Sequence, residues 1–419
     1  MADSFRQLRK LRPKQTRYKS LLAHDLSEMR FFMRNYVNPK VAALPPSGIR
    51  KFFDIVQTTP GAISLGVGEP DFVTPWNARE AAIRSLHQGY TQYTGNRGLP
   101  ELRELISRYL KKRFNVEYSP DHTIITVGAS EAIDLALRAI CETGDEILVP
   151  EPSYVSYSPT VILSGGTPVP VQCVADNDFI LTPEMLESSI TPKTKALILP
   201  FPNNPTGAIM TKEQLEAIVP VIVKHDLLVI SDEIYAELTY VGKHFSFAAL
   251  PGMAERTVLI SGFSKSFAMT GWRVGFVCAP AEIDAAMLKI HQYVIMCAPQ
   301  MSQRAAVASL KEGFDDGFFV VAEMRNEYEK RGKFLANSLN SMGLTCFMPK
   351  GAFYIFASVE STGMDGEEFA NGLLAAQKVA VVPGGAFGSA GTNFIRCSYA
   401  TSMAQLKEAV SRIKAFLNK

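Results

Sequence analysis

Between residue 79 and about residue 280, short uninterrupted apolar runs alternate with stretches in which apolar residues recur every three or four positions. The run "HTIITVG" reads as a strand. After it, "SEAIDLALRAIC" sets Ile133, Leu137, Ile140 and Cys141 on one helical face, with Ser130 as N-cap. "TGD" turns the chain into the strand "EILVP", and "TPVPV", "KALILP", "LLVISDE", "RTVLISG" and "VGFVCAP" continue the series. Runs that are apolar without alternation are buried on both faces, and strands joined through helices run parallel. The pattern predicts an α/β unit with a mostly parallel sheet and helices on its faces.

After about residue 313 the pattern changes. A charged helical stretch, "VVAEMRNEYEKRGKFLANSLNSMG", leads to "TCFMPKGAFYIFASV" and a last helix. Elements here are fewer and less regular, as in a smaller α+β domain. The expected organisation is a basic N-terminal extension over 1–35, a large domain over 79–312, and a small domain assembled from 36–78 and 313–419.

Composition narrows the function classes. A chain of 419 residues can bury a large core, and a net charge of +2 gives no footing for nucleic acid. No apolar run approaches the roughly 18 residues of a membrane span, and no signal-peptide pattern opens the chain, so a cytoplasmic protein is expected. The six cysteines and six histidines are scattered without metal-ligand spacing, and no metal site is expected. Residues 1–20 are different: Arg6, Arg9, Lys10, Arg12, Lys14, Arg17 and Lys19 face one acid, Asp3. Such a segment is a solvated arm or a packing helix, or an organellar transit peptide.

In open parallel sheets ligands sit beyond the carboxyl ends of the strands. Collected there are Gly128, Ala129 and Ser130 after "ITV", Tyr154 after "EILV", Asn203 and Asn204 after "KALILP", Asp232 and Tyr235 after "LLVIS", and Ser261, Ser264 and Lys265 after "RTVLI". "GVGEPD" lacks the third glycine of a dinucleotide loop, and Pro70 stands where a helix should begin. Pyridoxal 5′-phosphate suits the set. Its phosphate wants helix N-terminal amides and an arginine, and its ring wants an aromatic face. Its ring nitrogen wants a carboxylate, its phenolic oxygen wants donors, and its aldehyde wants a lysine for a Schiff base.

"SGFSKSFAMTGWRVG", residues 261–275, resembles the cofactor-lysine motif of class I/II (fold-type I) pyridoxal-phosphate-dependent aminotransferases. "GVGEPDF", "PNNPTG", "SDEIY" and "IRCSYA" stand in that family's order, and the branch they most resemble holds prokaryotic aspartate, aromatic and broad-specificity aminotransferases. The resemblance covers about residues 36 to 419. It implies an aspartate aminotransferase-like fold, with a seven-stranded sheet in the large domain and a smaller α+β domain. It implies amino-group transfer from an L-amino acid to a 2-oxo acid, 2-oxoglutarate by family habit, by a ping-pong route through pyridoxamine phosphate. A homodimer with shared active sites is implied as well.

By the same resemblance, Lys265 bonds the cofactor and shuttles the proton, and Asp232 pairs with the ring nitrogen. Tyr235 and Asn204 bond the ring oxygen, and Tyr154 stacks on the ring. Arg273, Ser261, Ser264, Ala129 and Ser130 hold the phosphate, joined by Tyr93 from the neighbouring subunit. Arg396 forks onto the substrate α-carboxylate, helped by Gly68 and Asn204. The family's aspartate enzymes can carry a lysine in the loop after "TVG", where Ser130 stands here, so a strict aspartate preference is not implied.

Taken singly, each residue has an ordinary structural reading. Asp232 can cap a helix, Tyr154 and Tyr235 can be core aromatics, and Asn204 can shape a Pro-flanked turn. Arg396 can be a surface ion pair, and Ser261 and Ser264 can cap backbone. Two other functions use the same fold: a lyase running β-elimination or aminocyclopropane-carboxylate synthase-like chemistry, and a ligand-sensing domain of a transcription regulator. The second needs a DNA-binding module, for which the residues before about 36 are too few.

Overall fold

The computed structural model describes residues 36–46, 48 and 59–418; the basic extension expected over 1–35 lies outside them. The chain separates into two compact units, Met1–Pro45 and Pro46–Lys419. The described part of the first carries one short helix, Pro39–Ala43. Proline opens its first turn, and the Asn38 side chain caps it by accepting from the Lys40 amide.

In the second unit, strand β1 (Ile63–Ser64) pairs in parallel with β10 (Val379–Ala380). The seven apolar runs become β2 (Thr123–Thr126), β3 (Glu146–Glu151), β4 (Thr167–Gln172), β5 (Thr194–Leu199), β6 (Leu228–Asp232), β7 (Thr257–Gly262) and β8 (Gly275–Cys278). They form one mixed, mostly parallel sheet in the order β2-β8-β7-β6-β5-β3-β4. Strand β8 runs antiparallel to both of its neighbours, β2 and β7. An antiparallel return needs only a loop rather than a helical crossover. Residues 263–274 are that loop, and they hold Lys265 and Arg273 over one end of the sheet.

Successive residues of a strand point to opposite faces. Ile198, Ile230 and Ile260 pack on one face with Ala132, Leu135 and Ala136 of the helix Gly128–Ile140. Leu197 and Val229 pack on the other with Leu215, Ile218 and Ile222 of the helix Lys212–Lys224. Both faces being covered is why these strands carry no polar alternation.

A second, antiparallel sheet has the order β11-β12-β9, from β9 (Tyr354–Ser358), β11 (Val382–Pro383) and β12 (Phe394–Ser398). Ile355, Ile395 and Cys397 share a core with Leu335 and Leu339 of the helix Phe319–Ser341, Phe369 and Leu373 of Gly366–Gln377, and Leu406 of Met403–Leu417.

One local expectation is corrected. The helix predicted to be capped by Ser130 begins at Gly128, with Val127 as N-cap and no side-chain cap bond. Gly128 has φ +75°, which suits glycine, and it starts the helix before Ser130 is reached. The Glu131 carboxylate instead reaches back to accept from the Val127 amide. A first-turn carboxylate thus satisfies the amide of the N-cap residue that has no intrahelical acceptor.

Candidate active site

A cavity of about 740 Å³ opens where the strands of the large sheet end, walled on the far side by the small sheet. Of the expected residues, Gly68, Ala129, Ser130, Tyr154, Asn204, Asp232, Tyr235, Ser264, Lys265, Arg273 and Arg396 line it. Ser261 and Tyr93 do not. The Ser261 hydroxyl donates to the Glu233 carbonyl at 3.3 Å. Tyr93 is 78 % exposed in the single chain.

Lys265 follows β7 and reaches across the cavity floor, where its Nζ donates to the Gly68 carbonyl at 2.6 Å. Burial pulls the ammonium's pKa down to about 8; Glu69 resists the shift, and Arg396 and Arg273 add to it. An amine in that range gives up its proton more readily than an ordinary lysine, as a nucleophile and base requires. Asp232, the last residue of β6, is buried. Its Oδ2 accepts from the Tyr157 hydroxyl at 2.8 Å and its Oδ1 from the Ile234 amide at 3.2 Å. Desolvation nonetheless lifts its pKa to about 6 against the lowering effect of those two bonds. A cation beside it would draw the value back down.

The second wall is aromatic and basic. The Tyr235 and Tyr354 hydroxyls lie 2.9 Å apart. Burial first, and then Tyr354, push the Tyr235 hydroxyl well up from its ordinary value, so Tyr235 stays a protonated donor. Arg396 projects from β12 and is 1 % exposed. Its Nη1 donates to Asn204 Oδ1 at 3.0 Å and its Nη2 to the Gly66 carbonyl at 2.6 Å. The guanidinium lies between the rings of Tyr354, 4.5 Å away, and Phe387, 4.9 Å away. Its Nε is buried without a hydrogen-bond partner, and its other nitrogens donate to an amide oxygen and a backbone carbonyl rather than to a carboxylate. A buried arginine without an acid is costly to keep and is suited to meet an anion that arrives from outside.

The third corner is the start of the helix Gly128–Ile140. The first amides of a helix have no intrahelical acceptor, and the helix dipole favours an anion there. The Arg273 guanidinium lies over Gly128 so closely that a Cβ at that glycine would sit 2.5 Å from Nη2. A Cβ on Gly275 of β8 would meet the Gly128 carbonyl carbon at 2.7 Å and the Ala129 amide nitrogen at 2.8 Å. Two glycines thus let an arginine and a strand approach the same turn of backbone.

Tyr157 and Tyr354 are site residues that the sequence reading passed over. Tyr157 stands three positions after Tyr154, packs edge-on against it with centroids 5.6 Å apart, and holds Asp232. Its signal was the repeated tyrosine of "PEPSYVSY" at helical spacing. Tyr354 lies inside the apolar run "GAFYIFASV", where nothing separates a site tyrosine from a core one.

These donors fit pyridoxal 5′-phosphate on the chain's own chemistry. A buried carboxylate lacking a cation, an amine of lowered pKa, a protonated phenol and an arginine over a helix N-terminus answer its ring nitrogen, aldehyde, phenolic oxygen and phosphate. The unpartnered Arg396 Nε answers a substrate carboxylate.

The family described as aminotransferase class I and II matches residues 60–413. The chain is 48 % identical over 374 residues to an aspartate aminotransferase of Pyrococcus abyssi, covering 89 % of this chain and 96 % of that one. It is 44 % identical to aromatic-amino-acid aminotransferase 2 of Thermococcus litoralis, covering 91 % and 98 %. Among solved structures, the Thermus thermophilus aspartate aminotransferase with maleate superposes with a TM-score of 0.87 at 37 % identity, over 92 % of this chain and all of that one.

Proposed function

The chain belongs to the class I and II aminotransferase family, and from that premise we propose that its cavity moves the α-amino group of an L-amino acid to 2-oxoglutarate in two successive half-reactions. It is a pyridoxal-phosphate-dependent transaminase with the aspartate aminotransferase-like fold, acting on amino and oxo acids. The ping-pong order and the identity of the acceptor belong to the proposal.

When bound, the cofactor supplies an aldehyde that bonds the amine and a ring that accepts the electron pair left at the α-carbon. The chain's residues do the rest. Lys265 would hold the cofactor through its aldehyde carbon, and its amine, of lowered pKa, would take and return the α-proton. Asp232 keeps the ring nitrogen protonated, with its own orientation fixed by Tyr157. Tyr235 and Asn204 donate to the ring oxygen, and Tyr154 covers a ring face. Arg273, Ser264 and the amides of Ala129 and Ser130 hold the phosphate. Arg396 receives the substrate α-carboxylate between two aromatic rings, with Asn204 and the Gly66–Gly68 backbone setting its angle.

The observation that carries this reading is the convergence of Asp232 and Arg396, both buried, and the half-buried Lys265, none in an ion pair with the others, on one cavity. The test follows the donor's isotope-labelled amino nitrogen. Its appearance in glutamate, only when 2-oxoglutarate is present, supports transfer; its release as ammonia would assign the site to a lyase.

Several coarser features go with this. We propose a homodimer, supported by the exposed Val73, Trp76, Ile83, Leu86 and Tyr90 on and beside the helix Trp76–His87, a patch too apolar to stay in water. Sedimentation at twice the chain mass is expected, and a monomer at micromolar concentration would refute it. Within such a dimer Tyr93 reaches the neighbouring phosphate. The large domain over 79–312 and the small one from 36–78 and 313–419 are proposed likewise, supported by the pairing of β1 with β10; limited proteolysis checks the boundaries. No described helix is long and apolar enough to cross a membrane. We place the enzyme in the cytoplasm, to be checked by fractionation.

A further inference from the structure

The helix Ala281–Val294 packs beside Gly128–Ile140 and sends one imidazole into the contact. His291 has no exposed surface, and its Nδ1 lies 2.7 Å from Glu131 Oε1. Its Nε2 is buried with no hydrogen-bond partner. An ionised carboxylate only accepts, so Nδ1 carries the hydrogen. The other oxygen of Glu131, Oε2, accepts from the Val127 amide at 2.5 Å. Both oxygens are therefore committed, one to a neighbouring helix and one to the residue just before Gly128. The same short stretch packs against both Gly275 and Arg273.

Resting on the reading of this helix start as the cofactor's phosphate cradle, we propose that His291, through Glu131, is a positioning residue for the phosphate. It holds residues 127–130 in the shape that aims the Ala129 and Ser130 amides at the cavity. It also keeps the Glu131 carboxylate turned away from them. Without the imidazole, Oε1 is free to swing toward the same amides, where a carboxylate competes with phosphate for one set of donors. A histidine that merely filled core space would not need its polar edge aimed at an acid in the first turn of the helix.

The test uses the full-length chain stripped of cofactor and retitrated, with quenching of intrinsic fluorescence as the readout. Pyridoxal 5′-phosphate and pyridoxal, which lacks the phosphate, are the two probes, and the parent chain binds the first far more tightly. The variant His291→Leu weakens pyridoxal 5′-phosphate about ten-fold, the size carried by one lost charge-assisted hydrogen bond, and leaves pyridoxal within two-fold. The variant His291→Asn, which keeps an N–H toward Glu131, recovers most of the loss. Should His291→Leu lower the melting temperature of the stripped chain, Glu131→Ala, at a half-buried position, carries the same comparison. Unchanged affinity for pyridoxal 5′-phosphate, or equal weakening of both probes, overturns the positioning role. A parent chain with no preference between the probes overturns the phosphate cradle itself, and this inference with it.

Discussion

Replacing Arg396 separates its charge from its shape. The guanidinium donates to Asn204 and to the Gly66 carbonyl while its plane is held between Tyr354 and Phe387. In that setting it can present a flat edge, the unpartnered Nε included, to a carboxylate. Arg396→Lys keeps the charge and loses the fork. A charge-assisted hydrogen bond contributes about 1.5–3 kcal/mol, so giving up one of two costs roughly 2 kcal/mol, or about 30-fold in kcat/KM for any amino donor. Arg396→Met loses both bonds and strands two buried acceptors, each at about 1–3 kcal/mol, so it should also lower Tm. Steady-state kinetics with one donor give the first number, and thermal melts give the second. Cofactor affinity, measured by absorbance titration, should stay within about two-fold in Arg396→Lys, since Arg396 is assigned to substrate. A kcat/KM within three-fold of the parent would refute the assignment, and an equal loss of cofactor affinity would move Arg396 to the cofactor.

Other expectations test the remaining corners of the site. Tyr157→Phe removes the hydroxyl that lowers the Asp232 pKa, so that pKa should rise from about 6 by roughly one unit, as carboxyl NMR of the cofactor-free chain would report; no change would mean that the bond does not form. Gly275→Ala drives a Cβ into the Gly128 and Ala129 backbone, and should weaken cofactor binding at least ten-fold in an equilibrium titration; parent-like affinity would show that the turn can yield. Lys265 has a folded pKa of about 8 against 10.5 in a free side chain, so its stabilising contribution is present above 10.5 and is lost as pH falls through about 8. In the cofactor-free chain Lys265→Met should therefore melt above the parent at pH 7, by roughly 3 kcal/mol of stability, with the gap closing as pH rises. A gap independent of pH would contradict the burial cost. The same variant should have no transfer activity.

How much of this was legible in the chain depended on range. Six of the seven apolar runs became strands with few or no exposed residues, a property their own residues declare, while the edge strand β4 buries only Val171. The strand order and the reversal of β8 were not legible, since pairing joins residues far apart and no local signal marks an antiparallel return. The site motifs were readable because a short loop must carry its chemistry in consecutive residues, as 261–275 does. The bond from the Ser261 hydroxyl to the Glu233 carbonyl joins residues far apart in the chain, and the local motif does not announce it. The Ser130 cap failed for a local reason, a glycine at positive φ opening the helix two residues early. Tyr157, Tyr354 and the His291–Glu131 pair were missed because each gains its meaning from a partner on another element.

In the proposed reaction Lys265, Asp232 and Arg396 together carry amino-group transfer. The most direct measurement is the absorbance spectrum of the purified, cofactor-loaded chain as single amino acids are added with no oxo acid present. The account predicts that the cofactor's visible band gives way to a near-ultraviolet one for some donors and not others. Each converted site should release one molecule of the matching 2-oxo acid, and 2-oxoglutarate should restore the band. A band that no amino acid converts, or conversion accompanied by ammonia, would contradict it.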